Sequence, residues 1–125
     1  MPGVEIRPGA PVVRGCRMIK SAHELALMQK ASDVTVAAYR HTYPRIERGM
    51  RPSDIAAIMN GATASLGGTP GFALILLGEA SAYPHGSGQP QEVREGEVVL
   101  MDCGCTVEGY QSDISRTFVF GEANA

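Results

Sequence analysis

The chain has 125 residues, enough for one ordinary domain. Apolar residues make up 44% and charged residues 19%, which fits a soluble globular protein and excludes a disordered chain. The net charge of −2 argues against a nucleic-acid backbone as main partner. The longest apolar run, Phe72-Ala-Leu-Ile-Leu-Leu77, is far too short to cross a bilayer, so no membrane span is expected. The opening Met-Pro-Gly-Val-Glu-Ile-Arg lacks the apolar region of a secretory signal. Three cysteines cannot all pair with one another, so reduced thiols and a cytoplasmic setting are expected.

Residues 1–16 hold three Pro and three Gly without clear periodicity and read as an extended lead-in or linker. From Ser21 to about Tyr43 the pattern is helical, with Leu27, Ala31, Val34 and Ala38 forming one apolar stripe. Ser21 with Glu24 three residues on makes a capping box, and Pro44 ends the helix. After the Gly49-Met-Arg-Pro-Ser53 turn a second helix is expected from Pro52 or Ser53. Its stripe is Ile55, Ile58, Met59, Ala62 and Leu66, and Gly67-Gly68 ends it. Phe72–Leu77 reads as a buried strand. A Gly/Pro/Ser/Gln-rich loop follows from Gly78 to about Gly96, and Glu97–Cys103 and Ser112–Phe120 read as two further strands. Two helices followed by three strands predict an α+β unit, the helices packed on a small antiparallel sheet.

The last two strands carry one aspartate each, Asp102 and Asp113, although strand interiors disfavour Asp. If the hairpin is centred between Val107 and Glu108, the two carboxylates face each other with Cβ atoms roughly 5 Å apart. If the turn is Glu108-Gly109, Asp102 sits opposite Ser115, and Asp113 is its diagonal neighbour on the same face. Facing like charges destabilise a strand pair. A divalent cation removes that repulsion, and hard oxygen donors suit Mn, Mg, Ca or Zn. The other reading makes one Asp a turn or cap residue and points the other to solvent.

His85, in Tyr83-Pro84-His85-Gly86 just before the hairpin, is a candidate for metal binding, proton transfer or substrate contact, against the common alternative of an exposed loop histidine. His23 and His41 fall on polar sides of the first helix. Cys103 and Cys105 do not have zinc-site spacing and point away from the Asp102 face, so they read as small buried residues. Arg116 is on the opposite strand face from Asp113, either as a salt-bridge partner or solvated. Glu92, Arg94 and Glu95 read as a solvated loop.

These residues also carry a resemblance. Asp102-Cys-Gly-Cys-Thr-Val-Glu-Gly-Tyr-Gln-Ser-Asp113-Ile-Ser-Arg-Thr-Phe resembles the D-x-G-x-x-x-x-G-Y-x-S-D-x-[ST]-R-T signature of the pita-bread-fold metallopeptidases, in the branch of Xaa-Pro dipeptidases (prolidases) and Xaa-Pro aminopeptidases. Arg17-Met-Ile-Lys-Ser-Ala-His-Glu-Leu-Ala-Leu-Met is similar to that family's R-x-I-K-S-x-x-E-I-x-x-M opening, and Tyr83-Pro84-His85 is placed like its substrate-side histidine. The resemblance covers about residues 14–121. It implies half of a pita-bread fold, with 1–16 as a linker remnant and 17–125 as the N-terminal half of the catalytic domain.

It further implies a site for two ions of Mn, Co or Zn. Asp102 and Asp113 would be metal ligands, with Asp113 bridging, and His85 the outer catalytic histidine. The substrate would be a proline-containing dipeptide or peptide. The family's ligand histidine and two ligand glutamates lie in a second half with no counterpart in this sequence. The chain alone is therefore expected to bind metal weakly or not at all, to be inactive, and to associate with itself or with a complementing C-terminal half. A non-catalytic interaction module of the same fold is the main alternative. A creatinase-like hydrolase would not need the two Asp. A methionine aminopeptidase fits the Ser115-Arg116-Thr117 run and the Arg-x-Ile-Lys-Ser opening less well.

Overall fold

The end of the expected lead-in, with Arg17 after it, forms a helix, α1 (Ala10–Arg17). Pro11 sits in its first turn, where a missing N–H costs nothing and the fixed φ suits a helix, and Arg14 and Arg17 in its last turn complement the helix dipole. None of its residues is buried. The computed structural model describes residues 3 and 6–123 of the chain; residues 6–9 of the lead-in are neither helix nor strand, and its residues 1, 2, 4 and 5 lie outside the described ones.

The capping box at Ser21 forms as expected. The Glu24 amide donates to Ser21 Oγ at 3.3 Å, and the Ser21 amide donates to the Glu24 carboxylate at 2.7 Å. It opens α2 (Ala22–Thr42), whose stripe Leu27, Ala31, Val34 and Ala38 is buried. A 3-10 turn, Tyr43–Arg45, carries Pro44 at the helix end. Helix α3 (Pro52–Ser65) starts where the Arg51 amide donates to the Asp54 carboxylate at 2.8 Å. It buries Ile55, Met59 and Ala62, whereas Ile58 is half-buried and Leu66 is exposed beyond the last turn.

Strands β1 (Thr69–Leu77), β2 (Val98–Val107), β3 (Tyr110–Gln111) and β4 (Ile114–Val119) make one antiparallel sheet. β2 is central, with β1 on one side and β3 followed by β4 on the other. β1 and β2 are longer than the sequence pattern indicates, and the expected Ser112–Phe120 strand is interrupted at Ser112-Asp113. Val99, Met101, Cys103, Cys105 and Val107 of β2 are buried. Val99, Met101 and Cys103 pack with Ala38, Tyr39, Ile55 and Met59 in one core cluster. Burying a side chain of Ile or Met size stabilises by roughly 1.5–3 kcal/mol, which is what holds the helices to the sheet. Alternation along the strand then puts Leu100, Asp102, Gly104 and Thr106 on the other face, away from α2 and α3.

Candidate functional site

The hairpin turn is Glu108-Gly109, with both residues at positive φ (49° and 85°). That is the backbone of a type I′ turn, whose twist matches the flanking strands. It selects the second of the two registers: Val107 pairs with Tyr110, and Asp102 pairs with Ser115. Ser115 Oγ donates to Asp102 Oδ1 at 2.7 Å. Continuing the register puts Gly104 opposite Asp113, so Asp113 is the diagonal neighbour of Asp102 on the open face, at roughly 7–8 Å by Cα spacing. Asp102 is half-buried and Asp113 exposed. The Asp113 carboxylate has no hydrogen-bond or ion-pair partner among the described residues.

Tyr39 of α2 braces the same strand pair from the helix side. Its hydroxyl lies 2.8 Å from the Met101 carbonyl of β2 and 2.7 Å from the Ile114 carbonyl of β4, and it donates to one of them at a time. Burial pushes the Tyr39 phenol well above its usual range. Burial likewise pushes the neighbouring Cys103 thiol up to about 11, so at neutral pH it is protonated and a poor metal ligand. Cys105 is also buried, its thiol donating to the Ala31 carbonyl at 3.4 Å.

His85 lies on an exposed loop. The loop folds over the open face, because Gly86 packs against Leu76, and Leu76 pairs with Leu100 on that face. His85 does not close a cluster with the two aspartates: no group of three or more His, Cys, Asp or Glu able to hold an ion exists among the described residues. The donors present fit a divalent cation in kind, being hard carboxylate oxygens on one face, and fall short in number. A cleft of about 320 Å³ elsewhere in the loop, lined by Leu77, Glu79, Tyr83, Gln91, Glu92 and Glu97, contains none of the three candidate residues.

Arg116 is on the helix side of β4, as its odd separation from Asp113 requires, and is exposed. The salt bridge considered for it does not form among the described residues; its guanidinium donates to the Ser115 carbonyl at 2.8 Å. His23 and His41 are exposed. Glu92 and Arg94 pair with each other at 3.1 Å on the surface. Sequence reasoning missed Ser112, a buried serine that sits at the strand interruption beside Asp113. Its sign in the sequence is the fixed serine before Asp113 in the G-Y-x-S-D part of the signature.

The chain is similar to known proteins. A family model for metallopeptidase family M24 matches residues 26–125. An uncharacterized peptidase of Schizosaccharomyces pombe is 37% identical over 110 residues, covering 86% of this chain and 24% of that protein. The Xaa-Pro dipeptidase of Pyrococcus horikoshii is 33% identical over 120 residues, covering 90% of this chain and 33% of that protein. The crystal structure of X-Pro aminopeptidase from Thermotoga maritima superposes with a TM-score of 0.85 at 30% identity, over 91% of this chain and 33% of that one. The chain thus spans between a quarter and a third of the length of these relatives. Its helices and sheet are part of the pita-bread fold of prolidase and aminopeptidase P. With most of its length matched by the family model, the chain belongs to metallopeptidase family M24.

Proposed function

We propose that this chain carries the N-terminal half of the catalytic unit of an Xaa-Pro dipeptidase, with residues 17–125 in that unit and 1–16 leading into it. The observation that supports the reading is the register of the hairpin, which leaves Asp102 and Asp113 on the sheet face opposite the helix layer, the first held by Ser115 and the second without a side-chain partner among the described residues. Asp102 and Asp113 would hold the divalent metal, with Mn, Co and Zn as the candidates. When bound, the metal supplies an activated water and stabilises the oxyanion that develops at the Xaa-Pro carbonyl. Ser115 fixes the Asp102 carboxylate on its lone-pair side, which lowers the cost of orienting a ligand. His85, on the loop that crosses the same face, would contact the substrate and move protons.

Two carboxylates do not make a tight site alone. The remaining ligands and the general base would come from a second half that covers the open face, where Phe72 is exposed and Leu74, Leu100 and Val98 are half-buried. The likeness to an X-Pro aminopeptidase structure keeps that activity as the alternative, and an Xaa-Pro-Yaa tripeptide separates the two.

The test is hydrolysis of Xaa-Pro dipeptides with Mn by this chain, with and without a separately expressed C-terminal half of the family. Activity only on mixing, lost in Asp102→Asn, supports the reading. Hydrolysis by the chain alone that survives Asp102→Asn contradicts it.

A further inference from the structure

We propose that Ser112 is a positioning residue for Asp113. Its hydroxyl takes the place of its own carbonyl in the β2 ladder, and this sets the direction in which the Asp113 carboxylate leaves the sheet. In the observed register Cys105 lies opposite Ser112, and an antiparallel pair of this kind exchanges two N–H···O=C bonds. One of them is present: the Ser112 amide donates to the Cys105 carbonyl at 2.9 Å. In place of the other, the Cys105 amide donates to Ser112 Oγ at 3.0 Å.

The displaced Ser112 carbonyl turns toward Gly104. A Cβ at position 104 would collide with it, and the position that Cβ would fill is on the open face, beside Asp102. Gly104 is therefore required by the rotated peptide. β1 gives way at the same point, through a bulge between Pro70 and Phe72 that brings Gly71 against the Gly104 carbonyl.

The lock is anchored to the helix layer. Ser112 Oγ and Thr35 Oγ1 of α2 are 2.7 Å apart, and Thr35 Oγ1 also reaches Cys105 Sγ at 3.3 Å. Ser112, Thr35 and Cys105 are 5%, 1% and 1% exposed, and no buried side-chain N or O atom among the described residues lacks a partner. A satisfied buried network of this kind holds one arrangement, because every alternative leaves a polar group unpaired. The Asp113 side chain has no partner among the described residues, so the backbone set by Ser112 is what directs it. Asp102 has Ser115 for that task. The geometry stands without any metal, and its consequence for metal binding rests on the reading of Asp113 as a ligand.

The experiment uses the 125-residue chain, isotope-labelled, as wild type, Ser112→Ala and Ser112→Thr. One arm reads the Ser112 and Asp113 backbone torsions and the Cys105 amide from chemical shifts and hydrogen exchange. The other reads the Mn concentration that half-broadens the Asp102 and Asp113 amide signals. In Ser112→Ala the torsions at 112–113 change, Cys105 amide protection falls, and the Mn concentration rises roughly ten-fold, the scale of losing a supporting partner of a ligand. Ser112→Thr, which keeps the hydroxyl, restores both. A folded Ser112→Ala with wild-type torsions at 112–113 overturns the proposal. If Ser112→Ala does not fold, Thr35→Val cuts only the anchor and must shift the Asp113 signals; unchanged signals overturn the proposal there too. Absence of Mn broadening at Asp102 and Asp113 in the wild type defeats the metal reading instead, while the torsions still decide the role of Ser112.

Discussion

Ser115 and Asp102 face each other across β2 and β4, and the serine hydroxyl donates to the carboxylate at 2.7 Å. Ser115 is exposed, so its removal takes little packing with it. Ser115→Ala is expected to cost under about 1 kcal/mol of stability. It should nevertheless raise the Mn concentration needed to broaden the Asp102 signal by roughly ten-fold, since a freed carboxylate must be ordered by the metal itself. Urea denaturation and an Mn titration followed by NMR check the two halves of this expectation.

Tyr39 gives the opposite pattern. Its hydroxyl serves the Met101 and Ile114 carbonyls from a buried position and touches nothing on the open face. Tyr39→Phe keeps the ring and deletes the bond. The expected loss is about 1–2 kcal/mol in urea denaturation, with Mn broadening at Asp102 moved far less than by Ser115→Ala.

The thiols should separate by burial. Cys16 is exposed, whereas Cys103 and Cys105 are buried. A thiol reagent at neutral pH is expected to modify Cys16 rapidly and the other two only as the protein opens. The folded-state pKa of Cys103 is raised from 9.0 to about 11, so the unfolded chain loses that proton first as pH rises. The associated stability is fully present below pH 9 and is lost progressively as pH climbs toward 11. Urea midpoints that stay level from pH 8 to above 11 would go against this assignment of the thiol.

The open sheet face has a consequence for association. Phe72 is 41% exposed and stands on the same face as half-buried Leu74, Leu100 and Val98. Such a face favours self-association or capture by a complementary half. Sedimentation at high micromolar concentration is expected to show species larger than a monomer, reduced by Phe72→Ser. A clean monomer across that range speaks against it.

Local signals made α2, α3 and the hairpin legible. The Ser21-Glu24 box, the Pro52 start and the apolar stripes each act within a few residues, and the structure follows them. The two aspartates were legible as anomalies of strand composition, because a carboxylate in a strand needs a reason. The register between them was not, since it depends on Glu108 adopting φ of 49°, which a non-glycine residue rarely does. Helix α1 was hidden by the Pro and Gly around and within it, Pro8, Gly9, Pro11 and Gly15, which read as a linker. The interruption at Ser112-Asp113 depends on Thr35, far away in the chain, and no short window contains both partners. His85 sits in a loop without periodicity, so its chain position indicates the face it can reach and not the atoms it meets.

Under the proposed function, Asp102 and Asp113 together hold a divalent cation. The most direct measurement is Mn-induced broadening across the amide spectrum of the chain, repeated in Asp102→Asn and Asp113→Asn. Weak binding is expected, with broadening centred on residues 102 and 113 and lost from that region in either variant. Broadening centred on the Glu79, Glu92 and Glu97 cleft, or unchanged at 102 and 113 in both variants, would contradict it.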